Sequence, residues 1–207
     1  MKPHEALLVG LIGVLVAAIL TFVFTKLLDR GRRKSDARDV SESLYNEIAD
    51  RAARCLNDHL VPWCHFEKTG SMTSARVARF RPTEPVVYRA VAGKLGLIPP
   101  TVLFSVLQFY YRLDVINREI DDIKRDYEHK AEVEVGRARL VAQRFQQSLA
   151  PALEALEKLG GAVRNSSEID QQAALVYPHV AKLGEPLRGA LRTALGRSGR
   201  DDGAESR

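Results

Sequence analysis

Cysteine is almost missing from this chain: Cys55 and Cys64 are the only two among 207 residues. A secreted domain stapled by disulfides would carry more, at regular spacings, so a reduced, cytosolic setting is the simpler expectation. Aromatic residues make up only 7 %, with a single Trp. No segment alternates apolar and polar residues with the period of two that a half-buried strand requires, which sets aside sheet architectures. Internal repeats are absent too. There is no Gly-rich phosphate-cradling loop, no nucleophile elbow and no kinase or hydrolase signature, so nothing in the chain argues for a catalytic residue or a cofactor site.

What is present is apolar and charged material in globular proportion, 45 % and 28 %. The net charge of +5 is not evenly spread. Residues 26–38 hold Lys26, Arg30, Arg32, Arg33, Lys34 and Arg38 against Asp29 and Asp36, six minus two, or +4. The basic excess therefore sits beside an apolar run and not on the body of the chain. That placement suits a membrane surface, and no nucleic-acid partner is expected.

The apolar run is residues 6–24, ALLVGLIGVLVAAILTFVF, 19 residues without a charge. As a helix it is about 28 Å long, close to the roughly 30 Å hydrocarbon core of a bilayer. A cleavable signal peptide has a shorter apolar region, about 7–15 residues, ending at small residues. Here bulky Phe22, Phe24, Leu27 and Leu28 occupy that place. The expectation is an uncleaved single-pass anchor. Lys and Arg excess marks the cytoplasmic flank. The cluster Lys26, Arg30, Arg32, Arg33 and Lys34 then orients the N-terminus outside and the rest of the chain in the cytoplasm. Ala6, Gly10, Gly13 and Ala17 fall on one face of the span, which predicts self-association through closely approaching backbones and hence a homo-oligomer.

Downstream, the pattern is helical throughout. Ser35 or Asp36 is the expected cap of a helix with Val40, Leu44, Ile48, Ala52, Cys55, Leu56 and Leu60 on one face, ended by Pro62. Residues 63–82 have no period and read as a long loop. Thr83 is an expected N-cap, followed by a short helix over 85–95 closed by Gly96 in the left-handed conformation. Pro99-Pro100 start a long helix carrying Leu103, Val106, Tyr110, Leu113, Ile116, Ile120, Ile123 and Tyr127. Another carries Ala138, Ala142, Phe145, Leu149, Ala152, Leu156, Leu159 and Val163, a heptad-like seam suited to an antiparallel neighbour, with a kink or break at Pro151. Near residues 127–132 a hairpin turn and one continuous helix are both open. After a turn at Gly160-Gly161 and 165–167, Ser167 is the expected cap of a last stretch with Ile169, Ala173, Val176, Val180 and Leu183 inward, kinked at Pro178 and restarted at Pro186. The fold class is all-α: a single N-terminal transmembrane helix, then an antiparallel bundle with a long amphipathic hairpin. The expected organisation is an anchor with its basic flank over 1–35, a cytoplasmic helical domain over 36–197 and a disordered tail over 198–207.

Residues 87–100, VYRAVAGKLGLIPP, followed by Val106 and Phe109-Tyr110, with Glu47-Ile48 in the preceding helix, resemble a pattern in small uncharacterised bacterial inner-membrane proteins. The resemblance covers residues 1–127 and implies an N-terminal span, a cytoplasmic helical domain and inner-membrane placement. It implies no activity.

Three constellations carry possible chemistry. Cys55, His59, Cys64 and His65 fall within eleven residues, and zinc accepts such ligands, although the spacing is no common finger or ribbon and Cys55 lies on the core face. Carboxylates crowd 114–134, and Asp126-x-x-His129 is half of a di-iron motif; interleaved Arg118, Lys124, Arg125 and Lys130 make a solvated face the better reading. Arg76, Arg79 and Arg81, with Phe80 and Trp63, form a basic-aromatic loop that could bind anionic lipid or single-stranded nucleic acid. The expectation favoured by the whole is a membrane-tethered helical interaction module without enzyme activity, docking an unknown protein partner or a second copy; a zinc domain and the 76–81 loop binder are the alternatives.

Overall fold

The computed structural model describes residues 3–60, 84–130, 135–181 and 185–201. Within the helices, the side chains of 3–19, 58–60, 126–130, 135–139, 141–142, 178–179 and 196–201 lie outside that description. Among the described residues the chain is all-α, with no strand. The helices are α1 (Pro3–Arg54), α2 (Val86–Val91), α3 (Pro100–Lys130), α4 (Val135–Gly160), α5 (Ser166–Val176), α6 (Pro178–Ala181) and α7 (Leu187–Asp201). A π-turn, Cys55–Leu60, ends α1, and a 3₁₀ segment, Ala92–Leu97, follows α2.

The chain divides into two units, Met1–Asp39 and Val40–Arg207. The first is helical from Pro3 onward, with Leu20, Phe22, Phe24, Leu27 and Leu28 exposed and Lys26 seated over the Phe22 ring. Among the described residues, no helix is long and apolar enough to cross a membrane. Most side chains of the expected span, with Ala6, Gly10, Gly13 and Ala17 among them, lie outside those residues.

In the second unit the core is continuous. Leu44, Ile48, Ala49, Ala52 and Ala53 of α1, Val106, Phe109, Leu113, Ile116 and Ile120 of α3, and Phe145, Leu149, Leu156 and Leu159 of α4 belong to one buried cluster. Buried residues of α1 between Val40 and Leu56 cover an arc of roughly 240° at about 100° per residue, so this part of α1 is central and not one wall. Helices α3 and α4 run antiparallel. Lys158 donates to the Thr101 carbonyl and to Ser105 Oγ, Arg112 pairs with Gln147, and Glu119 pairs with Arg144, so rising numbers on one helix meet falling numbers on the other. Their apolar period matches the expected one: Val106, Tyr110, Leu113, Ile116, Ile120 and Ile123 on α3, and Phe145, Leu149, Ala152, Leu156 and Leu159 on α4, are buried.

Five expectations differ from the structure, wholly or in part. Ser35 and Asp36 do not cap a helix, because α1 passes through both without interruption. Gly31 and the aspartates weaken the local helix propensity, but the interleaved Arg, Lys, Leu and Ala are good helix formers. Gly96 is not a left-handed cap: the backbone tightens into the 3₁₀ segment, Ile98 N–H reaches the Leu95 carbonyl at 3.1 Å, and Pro99 closes the turn. Of the kink or break expected at Pro151, the break does not occur: α4 runs through it with the ring buried. On α5 the inward face is wider than expected and excludes Val176: Ile169 and Ala173 pack against the core and Val180 is buried, as expected. Asp170, Ala174 and Tyr177 are buried, whereas Val176 is 69 % exposed. The cap residue there is Asn165, without a side-chain hydrogen bond. The expected loop at 63–82, with Thr83, and the connection near 131–134 lie outside the described residues.

Because the core belongs wholly to Val40–Arg207, a fragment beginning at Asp36 should fold into a strongly helical body with cooperative urea unfolding. Within it, Leu149→Ala, a fully buried site, should lower the unfolding free energy by about 2–5 kcal/mol. Circular dichroism read against urea measures both.

Candidate functional site

Glu47 is 92 % buried, with 8 % of its surface exposed, on the central part of α1. An ionised carboxylate in that position must recover hydrogen bonds for the water it loses. Its Oε1 accepts from Val87 N–H at 2.9 Å and from Arg51 Nη2 at 3.4 Å; its Oε2 accepts from Tyr88 N–H at 2.9 Å and from the Tyr110 hydroxyl at 2.6 Å. The two amides belong to the first turn of α2, whose N-terminal flank, Pro85, supplies no side-chain cap. Glu47 therefore caps α2 from another helix, and the partial positive charge of that helix end favours the carboxylate. The Tyr88 and Tyr110 rings stack at 4.2 Å with 23° between planes, and Phe109 meets Tyr110 edge-on at 5.4 Å. Burial raises the Glu47 pKa, but the Tyr110 hydroxyl, the Tyr88 and Val87 amides and Arg51 outweigh it, and the net shift is downward. Burial, together with the carboxylate beside it, holds the Tyr110 phenol neutral far above its ordinary range.

Two further tyrosine–carboxylate bonds leave the same helix. Tyr45 donates to Asp170 Oδ1 at 2.6 Å, and Arg188 closes on Asp170 Oδ2. The fit is tight: a Cβ on Gly160 would stand 3.3 Å from Arg188 Nη1 and 3.6 Å from the Tyr45 ring. Tyr177 donates to Asp50 Oδ1 at 2.6 Å and accepts from Arg54 Nε at 3.3 Å. The Tyr45 and Tyr177 phenols are both pushed up, first by burial and then by the bonds to their carboxylates. Within three turns, α1 thus sends Tyr45 to α5, Glu47 to α2 and α3, and Asp50 to the Tyr177 bend between α5 and α6.

These bonds clamp helices together. The residues that carried the sequence resemblance, Glu47, Val87, Tyr88, Phe109 and Tyr110, meet here, and their arrangement accounts for them structurally. Asp170, Arg188, Tyr45 and Tyr177 were missed by periodicity alone. The available signal was a polar residue in phase with Ala174 and Tyr177, at spacings of four and seven.

The other expected sites are less complete. Cys55 is buried in the core. The His59 side chain, Cys64 and His65 lie outside the described residues, as do Arg76, Arg79, Arg81, Phe80 and Trp63. Among the described residues no cluster of His, Cys, Asp and Glu could hold a metal. On α3, Asp114 pairs with Arg118 at 2.5 Å and Asp122 with Arg125 at 3.4 Å on exposed positions, the solvated face expected there. The basic residues Lys26, Arg30, Arg32, Arg33 and Lys34 are all exposed. An apolar stripe, Phe104, Leu107 and Tyr111, stands on the outward side of α3. No protein-family model, curated protein or solved structure matches this chain.

Losing the Tyr110 hydroxyl removes one bond to a buried charge, so Tyr110→Phe should cost about 1.5–3 kcal/mol of domain stability. The pH dependence has two limbs. Glu47 has a depressed folded pKa, so its stabilisation is present above the ordinary carboxylate value of about 4.3 and is lost as pH falls through the folded one. The three phenols are raised, so theirs is present below about 10 and is lost as pH rises beyond it. Urea midpoints across pH should fall on both sides, and Tyr110→Phe should flatten the alkaline limb. An unchanged alkaline limb in that variant would show that the phenol is not held by the carboxylate.

Proposed function

We propose that this chain is a membrane-tethered helical interaction module: one N-terminal span, the N-terminus outside, and the clamped helical domain in the cytoplasm. The observation that carries the reading is the exposure of Leu20, Phe22, Val23, Phe24, Leu27 and Leu28 within nine residues of α1. Leu20, Val23, Phe24, Leu27 and Leu28 share an arc of about 140°, at about 0°, 300°, 40°, 340° and 80°, and Phe22 stands on the far side at about 200°. Lipid covers that face and Phe22 alike, whereas a protein groove covers one face and would leave Phe22 in water. The charge-free run at residues 6–24 continues the same character upstream. The basic residues that follow support the orientation, and the resemblance to small bacterial membrane proteins supports the inner membrane as the location.

The interaction role rests on the rest of the molecule. Among the described residues the domain offers a rigid frame and no cluster of groups with chemistry of its own. The stripe of Phe104, Leu107 and Tyr111 on α3 is the surface best suited to a protein partner, and self-association of the span through Ala6, Gly10, Gly13 and Ala17 remains part of the proposal. On this reading, full-length protein stays with membranes through alkaline carbonate washing. A C-terminal green-fluorescent reporter fluoresces, and a C-terminal alkaline phosphatase is inactive. The reverse reporter pattern would invert the orientation, and release by carbonate would remove the tether.

A further inference from the structure

Because α1 is unbroken from Pro3 to Arg54, the charged residues after the expected span share one helical phase. A helix starting afresh at Ser35 or Asp36 would have separated them. With Lys26 at about 0°, Arg30 lies at about 40°, Arg33 at about 340°, Lys34 at about 80° and Arg38 at about 120°. Five basic side chains thus occupy one arc of about 140°. Asp29, Asp36 and Asp39 fall at about 300°, 280° and 220°, with Arg32 among them at about 240°. One side of the helix carries +5 and the other one minus three, or −2. All of these residues are exposed.

Orientation does not require this sidedness. The rule that keeps basic flanks in the cytoplasm depends on how many Lys and Arg lie near the span, and not on their phase around the helix. The length matters as well. From Lys26 to Arg38 the helix rises about 18 Å, while one headgroup layer is about 5–7 Å thick and charges are screened beyond about 8 Å. An upright helix would leave Arg38 beyond reach of the surface. A leaning helix with its basic side down brings all five within reach and turns the aspartates toward water.

We propose that the basic side of α1, formed by Lys26, Arg30, Arg33, Lys34 and Arg38, lies against the bilayer and gathers anionic phospholipid headgroups around the chain. Phosphate oxygens accept from guanidinium and ammonium groups on that side, and the acidic side discourages the opposite lean. This rests on the tether proposed above.

The test uses the full chain reconstituted in nanodiscs made from equal parts of phosphatidylglycerol and phosphatidylcholine, then partly delipidated and assayed for headgroups. Wild type should retain phosphatidylglycerol several-fold over phosphatidylcholine, with the preference fading as salt rises from about 0.05 to 0.5 M. The comparison variant exchanges neighbours without changing composition: Asp29→Arg with Arg30→Asp, and Arg33→Asp with Asp36→Arg. It keeps the number of basic residues beside the span but leaves the two sides nearly equal, so the preference should drop toward one. An equal preference in both proteins, or none in wild type, overturns the inference while leaving the tether standing if both resist carbonate washing. Wild type released by carbonate overturns both. Single-stranded oligonucleotide retained by the basic side without any headgroup preference would assign it to nucleic acid and overturn the inference too.

Discussion

A carboxylate taken out of water needs its hydrogen bonds returned, and at Glu47 that requirement organises the domain around it. Helix α2 has six residues, far fewer than the dozen or so at which an isolated helix becomes even marginally stable. Its flanking proline gives it no cap of its own. It exists because Glu47 accepts two of its first amides, and its placement then lays Tyr88 on Tyr110. The same carboxylate accepts the Tyr110 hydroxyl, so the position of α3 is tied to that of α2. Apolar contacts supply most of the stabilisation, but they are not directional. Leu44, Ile48, Ala49 and Ala52 would tolerate sliding or rotation against their neighbours by amounts that a 2.6 Å hydrogen bond would not. Tyr45, Glu47 and Asp50 remove that freedom, each toward a different part of the fold.

The ranking of charged contacts follows from burial. Asp114–Arg118 and Asp122–Arg125 sit on exposed turns of α3, where an ion pair contributes little after screening and lost side-chain freedom. Glu47 and Asp170 are buried and accept several donors each. Removing a partner there strands a charge or a dipole, which costs more than the intact contact contributes. Substitutions on the α3 surface should therefore be nearly silent, while the hydroxyls of Tyr45, Tyr110 and Tyr177 are points of weakness.

The long helices were legible because their signal is long. Over eight turns of α3 or seven of α4, an apolar residue at every third or fourth position overrides a local exception such as Pro151. Short elements lack that redundancy. Val176 reads as a core residue of α5, yet it is exposed because the helix rotates to bury Asp170 against Tyr45 and Arg188. A periodicity built on hydrophobic residues cannot register an aspartate as an inward position. Glu47 entered the sequence reading only through a resemblance, for a related reason. Two of its four partners are backbone amides, which leave no mark in the sequence, Tyr110 lies 63 residues away, and Arg51, four residues on, looks like an ordinary surface pair. The helix start expected at Ser35 or Asp36 failed differently: capping residues permit a start without requiring one, and good helix formers on both sides carry α1 through.

Exposed apolar residues mean different things in the two units, and magnitude decides which needs covering. A folded monomer commonly shows one apolar patch of about 300–600 Å². Phe104, Leu107 and Tyr111, three side chains on one face of α3, are of the kind a soluble surface tolerates, so they permit a partner without demanding one. The six large apolar side chains between Leu20 and Leu28 are another matter. Full burial of each is worth about 1.5–3 kcal/mol, and five of them share an arc of about 140° with Phe22 on the far side, so one packed face would leave Phe22 uncovered. A protein cover would need apolar segments from elsewhere, and the chain's other long charge-free run, residues 95–111, already gives Ile98, Val102, Val106, Phe109 and Tyr110 to the core of the second unit. Lipid needs no such segment. The basic residues begin at Lys26, where the apolar side chains are ending, and that order along one helix is what a boundary between hydrocarbon and headgroups would select.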